Sequence, residues 1–122
     1  FAQYLIFPEI IQIPGTSSHI HTELLNLSRN DFSSSISSDI SNLTKLKALV
    51  LNQLSLTGTL PESMKSLSSL EDLYMWHADQ MDGPVLNFME YWPNLVTLDL
   101  YHASFTGTIP TNLGINSNLK VL

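Results

Sequence analysis

The sequence has no cysteine, and only five of its 122 residues are lysine or arginine. The first absence rules out a disulfide framework, cysteine ligands for a metal and a Cys-His nucleophile. The second argues against nucleic acid as a partner, because phosphate contacts need clustered Lys and Arg. There is no run of 18 apolar residues, so no segment reads as a membrane span. The apolar opening Phe1-Ala2-Gln3-Tyr4-Leu5-Ile6-Phe7 lacks a basic flank and is ended by Pro8, which makes it a poor signal peptide.

What is present is a 43% apolar chain with a net charge of −6, the size of one module. The charge is uneven. Up to Pro61 there are four acids and three bases, and from Glu62 onward seven acids face only Lys65 and Lys120. A basic protein partner suits this second half; the same charge also serves solubility.

Leu43 to Ser66 reads LTKLKALVLNQLSLTGTLPESMKS, and its apolar residues fit neither a helix period nor a strand period throughout. Around Leu49-Val50-Leu51 the spacing is two, as in a short strand, and Thr57-Gly58-Thr59 with Pro61 mark a turn. Steps of 24 or 25 residues lay this phrase over itself. Leu49 returns as Leu25, Leu73, Leu98 and Leu122, and Gly58 returns as Ser34, Gly83 and Gly107. A fixed period of this length is the signature of a solenoid, whose units bury their apolar sides only by stacking.

The pattern LxxLxLxxxxLTGxLP, in Leu46–Pro61 and again in Leu95–Pro110, resembles the plant-type leucine-rich repeat. It is similar to the ectodomains of receptor-like kinases and receptor-like proteins, and to polygalacturonase-inhibiting proteins. The resemblance implies an α/β fold: a right-handed leucine-rich-repeat solenoid with a short parallel concave sheet and a 3₁₀ or irregular convex side. Residues 20–122 then hold four repeats of 24–25 residues and the start of a fifth; residues 1–19 form a degenerate repeat or N-terminal cap. The chain reads as a piece of a longer array or a mature fragment. The family's ladder asparagine falls on Asn30, but its column continues as Leu54, Ala78 and Ala103, so looser or water-bridged turns are expected there. Met81, Met89 and Trp92 read as core filling, and the third coil as wider than its neighbours.

Strand alternation decides which side chains face out. With Leu73 and Met75 inward, Asp72, Tyr74 and Trp76 face the concave surface with His77 beside them; one coil on stand Asp99, Tyr101 and His102. These seven residues are the candidate ligand-binding set, with Arg29, Asn52 and Gln53 as secondary candidates from earlier coils. Exposed aromatics beside charges have the composition of a binding hot spot, and the family's concave face recognises ligands. The alternative is that the rings only cover the sheet and stack on one another. The expected partner is a protein or peptide of basic character, with no cofactor and no metal. A His77/His102 pair with Asp72 or Asp99 would be an isolated metal signal. No enzyme is expected, since no triad can be placed and an open sheet offers no cleft with facing carboxylates.

The sequons Asn26-Leu27-Ser28 and Asn42-Leu43-Thr44 are candidate glycosylation sites and fit an extracellular or cell-wall setting. Plant extracellular repeats usually carry cysteine-pinned caps, so the missing cysteine leaves a cytoplasmic scaffold as an alternative. Ice binding, known for some plant repeat proteins of this type, is another. It would want a regular threonine array, and Thr57-Gly58-Thr59 and Thr106-Gly107-Thr108 are separated by Asp82-Gly83-Pro84.

Overall fold

The computed structural model describes residues 6–7, 10–11, 22–29, 33, 35–111 and 119–121. Strands β1 (Ile6–Phe7) and β2 (Ile10–Ile11) pair antiparallel as a separate two-stranded sheet. The remaining strands are β3 (Leu24–Asn26), β4 (Ala48–Val50), β5 (Asp72–Tyr74), β6 (Thr97–Asp99) and β7 (Lys120–Val121). They form one parallel sheet in chain order.

Each strand is short because only its middle leucine and the apolar residue two positions later point inward before the turn begins. Leu25, Leu49, Leu73 and Leu98 lie in register across the sheet and are almost completely buried. A second inward column, Leu27, Leu51 and Met75, keeps the ladder going past the strand ends. Their N–H groups donate to the carbonyls of Val50, Tyr74 and Asp99 at 2.9, 2.8 and 2.9 Å. Strand entry repeats as well: the carbonyls of Glu23, Lys47 and Glu71 each accept two consecutive N–H groups from the next coil. Burying one leucine fully contributes roughly 1.5–3 kcal/mol, and here every central leucine is shared between two coils.

The return side carries three 3₁₀ helices among the described residues: Ser38–Asn42, Glu62–Ser66 and Val85–Tyr91. Ile40, Met64 and Met89 are their inward anchors. Pro61 stands at the N-cap with extended backbone (φ −66°, ψ 138°) and fixes the entry angle. The third helix has seven residues against five in the others, and it also buries Phe88. Trp92 follows it, fully buried, with Nε1 donating to the Met64 carbonyl at 2.8 Å. The widening expected of this coil therefore takes the form of an extra turn and a hydrogen-bonded indole. Met81 and Met89 are likewise core residues.

Two expectations need revision. The fixed sequence step assigns Leu122 to the leucine column, but the ladder pairs Leu98 with Val121 and Thr97 with Lys120. The last coil is thus one residue shorter than the step predicts. Near the Thr-Gly-Thr triplets a parallel bridge joins Gly58 to Met81. Gly58, Gly83 and Gly107 all have positive φ there. A Cβ on Gly83 would stand 3.0 Å from Thr59 Cγ2, so backbone sign and close coil approach both require glycine. In the asparagine column Leu54 and Ala78 stand as buried apolar residues. Asn30 and Leu122 lie outside the described residues, as does most of 1–19. Finally, Asn52, expected at the ligand surface, is only 8% exposed.

Candidate functional site

The outward columns of the sheet are Leu24, Ala48, Asp72 and Thr97, then Asn26, Val50, Tyr74 and Asp99. Beyond the strand ends two further columns follow: Ser28, Asn52, Trp76 and Tyr101, then Arg29, Gln53, His77 and His102. The aromatic side chains expected to meet do so. Tyr101 is 61% exposed, His102 is exposed, and Trp76 and His77 are half-buried. The His77 and His102 rings stack in parallel with centroids 5.0 Å apart and planes inclined by 4°. Trp76 meets His77 edge-on at 5.2 Å, and Tyr101 meets His102 edge-on at 4.4 Å. His77 also contacts Tyr101 edge-on at 6.2 Å. These spacings and angles are the favourable aromatic geometries.

Beneath the rings runs a polar device that the repeat pattern does not announce. The column Ser28, Asn52, Trp76, Tyr101 turns its N–H groups away from the ladder, and a side chain accepts each one. Asn26 Oδ1 accepts from Ser28 at 3.0 Å, Ser28 Oγ from Asn52 at 3.3 Å, Asn52 Oδ1 from Trp76 at 3.0 Å, and Asp99 Oδ1 from Tyr101 at 3.0 Å. A buried N–H without an acceptor is costly, which accounts for the polar residues at these places. Asn52 is thereby committed to the fold and leaves the ligand-facing set. Its short side chain, two residues past a strand end, is the sequence signal that marks it as a turn residue.

The next residue of each coil, Arg29, Gln53, His77 and His102, has φ of 60°, 55°, 58° and 52°. This left-handed backbone favours glycine, yet each position carries a large side chain. The N–H groups of Arg29, Gln53 and His77 donate to the carbonyls of Asn52, Trp76 and Tyr101, which rigidly fixes the column. Arg29 Nε donates to Gln53 Oε1 at 3.2 Å, so the two secondary candidates form a pair at the other end of the same rim. Asp72, Tyr74 and Asp99 are half-buried on adjacent strands.

Asn26 is exposed on the concave sheet, with its amide oxygen taken by Ser28 N–H, whereas Asn42 is exposed at the end of a 3₁₀ helix on the opposite side. Parallel stacked imidazoles present their nitrogens side by side and do not converge on one ion. Among the described residues no group of three His, Cys, Asp or Glu could hold a metal. No described helix is long and apolar enough to cross a membrane. Thr59, Thr106 and Thr108 are exposed, but exposed Asp82 and Pro84 interrupt them on the coil between, so no flat threonine array forms.

A sequence model described as Leucine Rich Repeat matches residues 21–43 and 94–115. Receptor-like protein 6 of Arabidopsis thaliana is 35% identical over 98 residues, which cover 80% of this chain and 10% of that protein. Among solved structures, the Arabidopsis receptor kinase HAESA, in complex with the peptide hormone IDA and the co-receptor SERK1, matches with a TM-score of 0.74 and 27% identity. That match covers 83% of this chain and 17% of that one. The plant peptide hormone receptor RGFR1, in complex with RGF2, matches with a TM-score of 0.73 and 28% identity, over 82% and 16% of the two chains. The chain thus spans about a tenth of the length of the curated relative it matches. Its repeated GxIP element, its stacked parallel sheet and these likenesses lead to one conclusion: the chain is a plant-type leucine-rich-repeat protein.

Proposed function

We propose that the chain is a non-catalytic recognition module that binds a protein or peptide ligand through its concave sheet. The binding surface centres on Trp76, His77, Tyr101 and His102, and Asp72, Tyr74 and Asp99 complete it. One observation carries this reading. Four rings stand over a sheet whose own hydrogen bonds are already satisfied, and two of them sit at left-handed positions where glycine would cost less. Backbone strain retained under large side chains is characteristic of functional sites. The peptide-hormone complexes of the structural neighbours support the same ligand class. The acid excess of this half of the chain suits a basic ligand. The receptor-like relatives support an extracellular or cell-wall setting as part of a receptor-type ectodomain, and a wall-enzyme inhibitor is the other form this reading takes.

The test is capture from plant cell-wall extract by the immobilised native chain and by a Trp76→Ala/Tyr101→Ala variant of matched thermal midpoint. The captured partner is then purified and titrated against both. Loss of two hot-spot rings is expected to weaken binding at least about 30-fold, the equivalent of roughly 2 kcal/mol. Equal affinity for both chains would reject the concave-face reading.

A further inference from the structure

Resting on that reading, we infer that the ligand is an extended peptide whose lysine or arginine side chain anchors on Tyr74, between the carboxylates of Asp72 and Asp99. Tyr74 is the lateral partner of Asp99 and follows Asp72 by two residues. Two residues along a strand and one strand across separate the two aspartate Cα atoms by about 8 Å, and Tyr74 stands on the same face beside Asp99. All three side chains are half-buried, so their charges are screened less than those of fully exposed groups.

Neither aspartate is in an ion pair with a described cation; the described pairs are Lys47 with Glu23 and Lys65 with Glu62. By register the cation nearest Asp72 is Lys47, whose carbonyl accepts from Asp72 N–H and whose ammonium is paired with Glu23, and the one nearest Asp99 is Lys120, exposed on β7 beside Thr97. Asp99 Oδ1 accepts from the Tyr101 N–H, which holds the carboxylate in place and leaves Oδ2 for a ligand. An anchored carboxylate loses little further freedom on binding. Trp76 and Tyr101 follow Tyr74 and Asp99 by two residues each, and their rings have faces that attract a cation. Arg29, two strands from Tyr74 on the same rim, disfavours a second cation there and so gives the ligand a direction. A peptide suits the site because extended backbone can cross several coils while one long side chain reaches down to Tyr74.

The geometry supplies its own control. Asp99→Asn keeps the amide oxygen that accepts from Tyr101 N–H, and Asp72→Asn keeps shape, so the double variant removes charge without removing the turn. The probe is a pool of acetylated, amidated pentapeptides of random sequence. It is passed over the native chain, the Asp72→Asn/Asp99→Asn variant and the Trp76→Ala/Tyr101→Ala variant, and the retained peptides are sequenced by mass spectrometry. On the native chain, Lys and Arg are expected to exceed Asp and Glu by at least about tenfold, and the excess is expected to vanish on the double-asparagine variant. Retained peptides without that excess, or with the same excess on the double-asparagine variant, overturn the inference. If the excess survives there but all retention is lost on the aromatic variant, the concave-face reading stands and the anchor alone fails. If the aromatic variant retains the native set, or the native chain retains nothing, both fall.

Discussion

At Gln53 the backbone φ is 55°, where a Cβ crowds the peptide that follows. The side chain is exposed, and its one described bond is the hydrogen bond from Arg29 Nε. An exposed hydrogen bond contributes little, while a left-handed non-glycine residue costs on the order of 1 kcal/mol. Gln53→Gly is therefore expected to raise stability by about 0.5–1 kcal/mol, read as a higher urea midpoint at unchanged m-value. An unchanged or lower midpoint would mean that the Arg29 contact outweighs the backbone. Sequence reasoning lists Gln53 as a candidate contact but does not reveal its φ, because nothing in the LNQLSL phrase marks a left-handed residue. Asn52 misleads for a related reason. Its outward position follows from alternation, but the strand has already ended, and the turn swings its amide back under the Trp76 N–H.

Among the elements, the coil that ends in Trp92 is joined to its neighbour by a buried, hydrogen-bonded indole. The indole lies 5.5 Å from the Phe88 ring and donates to the Met64 carbonyl one coil back. Lys65, on the helix between them, has its ammonium 4.9 Å from the Tyr91 ring and is ion-paired with Glu62. Trp92→Phe keeps most of the ring volume but removes the indole donor and leaves the Met64 carbonyl with the Leu67 N–H alone. The expected cost is about 0.5–1.5 kcal/mol, measured by equilibrium denaturation. No measurable loss would show that the indole bond adds nothing to the one from Leu67. The strands and their register are legible in the sequence because the two-residue alternation and the 24-residue step force Leu25, Leu49, Leu73 and Leu98 together. The slip to Val121 is not legible, since deleting one residue from a loop leaves the leucine spacing of the preceding coils unchanged.

For the molecule as a whole, a linear stack means that each coil is stabilised by its neighbours alone, so coverage on both sides decides local stability. Leu43, Leu46, Leu49, Leu70, Leu73 and Met75 are completely buried in the middle coils. Toward the last described coils, Leu100, Ala103 and Phe105 are only partly buried, and Ile109 is 70% exposed. The ladder bonds of Leu51 to Tyr74 and of Met75 to Asp99 lie in the covered region, while those of Ala103 to Leu100 and Thr106 to Gly83 lie at its margin. Native-state hydrogen exchange should therefore be graded. The amides of Leu51 and Met75 should exchange only through global unfolding. Those of Ala103 and Thr106 should exchange through local opening, at least about 100-fold faster. Equal protection at all four would show that the stack opens as one cooperative unit, and the aromatic corner at Tyr101 and His102 would then be as rigid as the core beneath Trp76. A graded profile instead places that corner where order is lost first, so a ligand bridging Trp76 and Tyr101 should slow exchange at Ala103 more than at Leu51.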